Sequence, residues 1–286
     1  MINRRNAILM GASTALLPSF AFSEEFIYTP EVIHKNMQKS IWISTNRSAS
    51  RSVYVVAAPW CPYCKMLYEA QAQIETDVDF RFIFLDMRHF GPSVVNAFFS
   101  DANDQVGLFY QDTSARNLAL SASSATWFEN VNTTTVYNMA TNFSSILEGN
   151  SGGSMSAAGF SYPTVIQRQD SGKITGILGA WSSIDEISKN AANSSPNSPI
   201  ATRYADLIRS APEMNNHKKN YFASNDNTPI YAAPLIDSPQ VGILNKGRGF
   251  SMRGTLNYKG EEWLAANAFT SGSAMFWFKK EDLYTR

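Results

Sequence analysis

The sequence is poor in cysteine and histidine, the residues that bind zinc. Its 286 residues include only two cysteines and three histidines, and 24 basic residues balance 24 acidic ones without a basic cluster. This balance gives no electrostatic support for a nucleic-acid or anionic-membrane partner. A zinc site normally takes about four ligands, and His34, His89 and His217 stand at no partnering spacing, so no metal or cofactor is predicted. The composition, 44% hydrophobic and 17% charged, is that of a globular protein.

The first 23 residues predict an export signal that is removed from the mature protein. An arginine pair, Arg4-Arg5, precedes an apolar run of small residues over 7–22, and small residues follow at a plausible cleavage position. The arginine pair resembles a twin-arginine signal. An uncleaved membrane anchor is the alternative, but the apolar run is about 16 residues long and contains Pro18, which is short for a span of about 20. The expected location is therefore the periplasm.

Both cysteines belong to one motif, Cys61-Pro62-Tyr63-Cys64. A structural disulfide generally joins distant segments, because a larger closed loop removes more entropy from the unfolded chain. A disulfide within this motif closes so short a loop that it stabilises little. Redox chemistry is therefore the favoured use of the two thiols, and an inert local disulfide is the alternative.

The pattern around the motif predicts a β-α-β unit. An apolar, β-rich run over 53–58 indicates a buried strand, 63–74 has the spacing of an amphipathic helix, and 79–87 indicates a second inner strand. A parallel, right-handed crossover is expected between the two strands. A short helix is expected within 29–46. Cys61 therefore lies where a strand ends and a helix begins.

The rest of the chain divides into a helical insertion, a β-hairpin with a closing helix, a linker and a β-rich end. Turn residues separate the two hairpin strands, and a capping box opens the closing helix. The insertion has no strand signal, and the linker is expected to hold a short helix at about 201–211 and a polar tract. Short strand signals at the C-terminal end predict a small β-barrel. The helical insertion is expected at 91–158, the hairpin at 164–179, the closing helix at 183–192, the linker at 193–227 and the β-rich end at 228–286. One α/β domain is expected to cover 24–192.

The motif suits thiol–disulfide exchange because a cysteine attacks only as a thiolate. At the start of a helix, Cys61 meets free backbone N–H groups and the positive end of the helix dipole, and both stabilise the anion. Pro62 has no N–H and fits the first helical position. Cys64, one turn further on, faces the interior and can resolve the mixed disulfide that Cys61 forms with a substrate.

The motif in this setting resembles the thioredoxin-like superfamily, and within it the periplasmic thiol:disulfide interchange proteins of the DsbC/DsbG type, which are DsbA-like. The resemblance covers about 53–192. It implies a thioredoxin-like fold with a helical insertion, and oxidoreductase or isomerase activity on exported proteins. It also implies a redox partner protein in the inner membrane. The residues that it implies for catalysis are Cys61 and Cys64, and Trp60, Pro62 and Tyr63 are expected to contact substrate.

The same resemblance assigns a role to Tyr162-Pro163. In this fold a cis-proline precedes the third strand and faces the two cysteines, which leaves the backbone of the preceding residue free to pair with an extended substrate. A trans proline at the start of an edge strand is the alternative. The relatives have Thr or Val where this chain has Tyr162, and no counterpart of the DsbC/DsbG dimerisation domain is expected before residue 53. The direction of electron flow, as oxidase, isomerase or reductase, is therefore left open.

The C-terminal segment resembles the bacterial SH3-like domain. The matching stretches are Ile230-Tyr231-Ala232-Ala233-Pro234, Gly242-Ile243-Leu244-Asn245-Lys246-Gly247, Glu262-Trp263-Leu264-Ala265, Trp277-Phe278 and Asp282-Leu283. This resemblance implies an SH3-like barrel with a peptidoglycan or peptide ligand. It supports a second hypothesis, in which the chain is an envelope-assembly or binding protein and its thioredoxin-like part is a scaffold.

Overall fold

The structure is a computed structural model that describes residues 26–74, 77–111, 122–150, 159–179, 184–193, 200–268 and 274–286. The predicted export signal lies outside these residues, as do most of the glycine- and serine-rich end of the insertion and 194–199 of the predicted linker. Within the described part of the chain, no helix is both long and apolar enough to cross a membrane. The protein is mixed α/β, with two separate sheets.

Seven α-helices are described. They are α1 (Pro30–Lys39), α2 (Pro62–Ala72), α3 (Gly91–Phe99), α4 (Gln105–Gln111), α5 (Ala122–Ala140), α6 (Ile184–Asn190) and α7 (Ile200–Ser210). The predicted helices of the insertion are present as α3, α4 and α5. Thr29 caps α1 by accepting a hydrogen bond from the Val32 N–H, and Pro30 opens the helix, where its missing N–H costs nothing.

The first sheet has five strands: β1 (Arg51–Ala57), β2 (Val78–Phe84), β3 (Leu147–Asn150), β4 (Thr164–Arg168) and β5 (Ile174–Leu178). Their order is β2-β1-β4-β5-β3. Strands β1 and β2 are parallel and flank α2 in the chain, and β4 and β5 form an antiparallel hairpin, so both predicted units are confirmed. The prediction that the insertion has no strand is wrong, because β3 pairs with β5. Its short sequence, Leu-Glu-Gly-Asn, has little β preference, and the sheet edge supplies the pairing.

Both faces of this sheet are buried, which explains the nearly continuous apolar runs of its inner strands. One face carries Val53, Val55 and Phe82 in a core shared with α2, α3 and α4. The other carries Tyr54 and Ile83 in a core shared with α1 and the C-terminal half of α5. Residues alternate between the faces along each strand, as the pleat requires. The start of α2 is thereby held at the end of a rigid central strand.

The second sheet has seven strands: β6 (Asn215–Ala223), β7 (Thr228–Tyr231), β8 (Gln240–Leu244), β9 (Gly249–Tyr258), β10 (Glu261–Asn267), β11 (Met275–Lys279) and β12 (Leu283–Tyr284). Their order is β12-β6-β9-β10-β11-β7-β8, and all pairs are antiparallel. The predicted closed barrel is wrong: among the described residues no pairing joins β12 to β8, and the sheet is open. Alternation and turns predict strands, but closure depends on how edge strands meet.

Strand β6 lies within the segment that was expected to be a polar tract of the linker. Six of its nine residues are Asn, His or Lys, and most of them are exposed. It nevertheless pairs with β9, with a register shift between Asn216 and Lys219. A polar strand is invisible to a hydrophobic pattern, because its stability comes from the neighbouring strand and not from its own side chains.

The second sheet packs directly on the helices of the α/β layer. The Trp277 ring stacks on Trp127 of α5, with 5.4 Å between ring centroids and 23° between planes. The Asn36 side chain in α1 donates a hydrogen bond to the Gln240 carbonyl at 2.9 Å. These contacts join the second sheet to α1 and α5, so the experiments proposed below use the intact chain.

Candidate redox site

The turn from β1 into α2 positions Cys61. Cys61 is the N-cap of α2, with extended backbone angles (φ −77°, ψ 119°), and Pro62 occupies the first turn. The Cys61 carbonyl accepts hydrogen bonds from the N–H groups of Cys64 at 3.1 Å and Lys65 at 3.3 Å. The predicted transition from strand to helix at Cys61 is therefore present, and backbone N–H groups of the first turn, those of Tyr63 and Cys64, hydrogen-bond to its sulfur.

The two thiols are unequal. Both are free, and Cys61 is 5% exposed whereas Cys64 is fully buried. Hydrogen bonds from the Cys64 side chain and from the backbone N–H groups of Cys64 and Tyr63 lower the pKa of Cys61 from 9.0 to about 6, although burial opposes this. Burial, and the proton that Cys64 shares with Cys61, raise the pKa of Cys64 well above 9.0. At neutral pH Cys61 is therefore the thiolate and Cys64 the thiol.

The segment before β4 lies against Cys61. The Tyr162–Pro163 peptide bond is cis, as the resemblance implies, and the trans alternative does not hold. The Cys61 sulfur lies 3.6 Å from the Tyr162 carbonyl oxygen. Strand β4 pairs with β1, with Thr164 opposite Val56, and this pairing sets the position of Tyr162. The structure thus brings together two sequence-predicted segments that are about 100 residues apart in the chain.

Trp60 joins Cys61 to the loop after β2. Its indole N–H donates to the Asp86 carbonyl at 2.9 Å and to the Asp86 carboxylate at 3.1 Å. The Arg88 guanidinium lies 4.0 Å from the centre of the Trp60 ring, and the Tyr162 ring meets it edge-on at 6.0 Å. Sequence reasoning did not identify Asp86 or Arg88, since their position after a strand is the only signal that they carry.

The loop after β2 has an unusual backbone. Asp86 and Arg88 have φ values of 47° and 48°, a region that non-glycine residues seldom adopt. The Met87 N–H between them donates to the Glu129 carboxylate of α5 at 3.0 Å. Burial raises the pKa of Glu129. The long helix therefore holds the loop that supports Trp60, and sequence reasoning missed this role of Glu129.

Large apolar side chains are exposed on the elements around Cys61. Trp60 is 36% exposed, and Tyr63 and Met66 of α2 are 52% and 40% exposed. Tyr137 of α5 is 39% exposed and hydrogen-bonds with Tyr162, whose pKa is raised by burial and by this contact. Met66 and Tyr137 were missed by the sequence reasoning. Large exposed apolar side chains on the elements around a reactive residue favour a surface that contacts other molecules.

The other sequence-predicted residues have simpler surroundings. Pro62 is exposed on the first turn of α2, and Pro163 is buried at the start of the hairpin. His89 is exposed in a short 3-10 helix over Arg88–Phe90, and its ring lies 4.0 Å from that of Phe90. Within the described ranges, no group of three or more His, Cys, Asp or Glu side chains is arranged to hold a metal ion.

Comparisons with known proteins add no family. No protein-family model matches the chain, and no curated protein matches it either. The class of protein is therefore inferred from the site and the fold.

Proposed function

We propose that this protein is a thiol–disulfide oxidoreductase with a thioredoxin-like fold, which acts on protein substrates through Cys61 and Cys64. The observation that carries the proposal is the unequal thiol pair: a Cys61 thiolate with a pKa of about 6 beside a buried Cys64 thiol, at the start of a helix. A low pKa keeps the nucleophile ionised at neutral pH, and a neighbouring thiol releases the substrate.

The reaction follows from this pair. The Cys61 thiolate attacks one sulfur of a substrate disulfide, and the other substrate sulfur leaves with the bonding electrons and takes up a proton. The Cys64 sulfur then attacks Cys61, so that the Cys61–Cys64 disulfide forms and the substrate is released with both sulfurs reduced. Run in reverse, the oxidised pair donates its disulfide to a substrate dithiol. The reduction potential of the pair decides which direction prevails.

The fold supports the same proposal. A thioredoxin-like domain requires the strand order β2-β1-β4-β5, in which α2, the helix with the two cysteines, follows β1. The antiparallel hairpin β4-β5 then pairs with the edge of β1 opposite β2. The Tyr162 carbonyl beside Cys61 and the exposed side chains of Trp60 and Tyr63 suit an extended, partly apolar polypeptide as substrate. The predicted export signal favours the periplasm as the location and an inner-membrane protein as the redox partner.

Insulin reduction and reactivation of scrambled ribonuclease test this proposal. Wild type is expected to catalyse at least one of these reactions, and Cys61→Ser neither. Cys64→Ser is expected to accumulate a mixed disulfide with the substrate. Equal rates for wild type and Cys61→Ser would overturn the proposal. Equilibration with glutathione then gives the potential, where a value near −120 mV indicates an oxidase and one near −270 mV a reductase.

A second candidate function, binding of an envelope ligand, is favoured by one observation. A pocket of about 180 Å³ lies between α5 and the second sheet, and its apolar lining includes Trp127, Trp277, Met214 and Met275. Peptidoglycan or peptide binding at this pocket can be tested by co-sedimentation of the intact chain with purified peptidoglycan. Co-sedimentation of the wild type, and its loss in Met214→Glu, would support this candidate function. A wild type that does not co-sediment would rule it out.

A further inference from the structure

Tyr110 of α4 has a hydroxyl group that the resting site does not use. The hydroxyl oxygen is buried and has no hydrogen-bond partner. Buried tyrosine hydroxyls nearly always have a hydrogen-bond partner, because burial removes their hydrogen bonds to water and a new hydrogen bond has to replace them. The position of this hydroxyl therefore calls for a physical reason.

The Tyr110 ring lies beside α2. Its centroid is 5.4 Å from that of Tyr68, and Tyr68 follows Cys64 by one helical turn. The pKa of Tyr110 is raised, first by burial and then by the negative charges of Cys64 and Cys61. The neighbouring Tyr68 hydroxyl is already engaged, because it donates to the Asp104 carboxylate at 2.8 Å. Of these two tyrosines, Tyr110 is the one whose buried hydroxyl has no hydrogen-bond partner.

The resolving step creates a need for such a donor. In the reduced site Cys64 donates its proton to the Cys61 thiolate and remains neutral. Once Cys61 has formed a mixed disulfide it carries no charge, and Cys64 must itself become a thiolate in a fully buried position. Burial disfavours that anion, and a hydrogen bond to it opposes the penalty. Hydrogen bonds of this kind often form only when the reacting charge develops.

We propose that the Tyr110 hydroxyl donates a hydrogen bond to the Cys64 sulfur as Cys64 attacks the mixed disulfide. This role rests on the proposed function. In the step, Cys64 loses its proton and its sulfur bonds to the Cys61 sulfur, the bond between Cys61 and the substrate sulfur breaks, and the substrate leaves as a thiolate that takes up a proton. Tyr110 keeps its own proton throughout.

The reduced, full-length protein and 5,5′-dithiobis(2-nitrobenzoate) provide the test. Attack by Cys61 releases one coloured thiolate, and attack by Cys64 on the resulting mixed disulfide releases the second, so that stopped-flow absorbance separates the two steps. Tyr110→Phe is expected to leave the first phase unchanged and to slow the second about tenfold. The pH midpoint of the second phase is expected to rise, because the Cys64 thiolate has lost a donor. A purely structural role would not move that midpoint.

Tyr68→Phe is the matched control, since it removes the hydroxyl of the neighbouring tyrosine, which is bound to Asp104. It is expected to keep the wild-type second phase. The inference is overturned if Tyr110→Phe keeps the wild-type second phase and pH midpoint, or if Tyr68→Phe shifts both equally. A wild type that releases no second thiolate would overturn the proposed function as well, and a normal second phase in Tyr110→Phe would overturn only the role of Tyr110.

Discussion

The low pKa of Cys61 leads to a measurable change in the redox balance of the pair. A fall from 9.0 to about 6 is a shift of about three units, which corresponds to about 4 kcal/mol in favour of the thiolate over the thiol. At pH 7 only the part of the shift between pH 6 and 7 is expressed, about 1.4 kcal/mol. This favours the reduced protein and raises the potential of the two-electron couple by about 30 mV.

The sign of the pH dependence follows from the direction of the shift. Because the pKa of Cys61 is lower in the folded than in the unfolded chain, the stabilisation of the reduced protein is complete above pH 9.0 and is lost as the pH falls through about 6. The oxidised protein has no thiolate at Cys61 and lacks this dependence. The melting temperature of the reduced form minus that of the oxidised form is therefore expected to rise from pH 5 to pH 9.

Alkylation of Cys61 by iodoacetamide measures the pKa directly. The wild-type rate, followed by mass spectrometry and by thiolate absorbance at 240 nm, is expected to have its midpoint near pH 6. Cys64→Ala removes the hydrogen bond that lowers the pKa of Cys61 most, so its midpoint is expected to rise. Met66→Ala, exposed on the same helix, serves as the control. A wild-type midpoint near 9, or an unchanged midpoint in Cys64→Ala, would refute the reasoning.

Three further predictions concern stability. Asn132 is fully buried and its side chain accepts from the Ile41 N–H at 2.9 Å, so Asn132→Ala leaves buried backbone groups unpaired and should lower the free energy of unfolding in urea by about 3 kcal/mol. Trp277→Ala removes the ring that stacks on Trp127 and should cost about 3–5 kcal/mol, with loss of the near-ultraviolet circular dichroism of the pair. Burial, assisted by two arginines, lowers the pKa of His34 from 6.5 to about 4, which favours neutral imidazole in the folded chain. Stability should therefore fall by up to about 3 kcal/mol as the pH drops from 6.5 to 4, and His34→Gln should show less of this fall.

Each of these predictions has a control of the same residue type or region. Asn142→Ala, just beyond the end of α5, should change the free energy of unfolding little, and an equal loss would contradict the role of Asn132. Tyr284→Ala at the edge of the second sheet is 38% exposed and should cost much less than Trp277→Ala. His89→Gln, a change at an exposed histidine, is the matched control for His34→Gln. A flat wild-type curve between pH 6.5 and 4 would contradict the prediction for His34.

Local pattern accounts for the core of the site. The apolar run before Cys61 and the amphipathic spacing after it predicted a strand followed directly by a helix, and β1 and α2 have that arrangement. Periodicity suffices here because each element buries its own apolar residues. The same reasoning missed β3 and β6, whose residues are small or polar and whose pairing is supplied by neighbouring strands.

Long-range contacts account for the rest of the site. The Glu129 carboxylate accepts a hydrogen bond from the Met87 N–H, 42 residues away in the chain. Nothing in its local sequence distinguishes Glu129 from other carboxylates. The Tyr110 hydroxyl is equally unremarkable in the sequence. The open second sheet was mistaken for a barrel for a related reason, since strand signals are local whereas the meeting of β12 and β8 is not.

The sequence by itself determined that two cysteines stand at the start of a helix, because a strand and a helix on either side of them follow from local hydrophobic periodicity. Only the tertiary structure decided that Cys61 lies beside the Tyr162 carbonyl, that Cys64 is fully buried, and that Glu129 and Tyr110 approach this site. The physical reason is that a pKa depends on burial and on nearby donors and charges, and these are brought together by the packing of segments that are far apart in the chain.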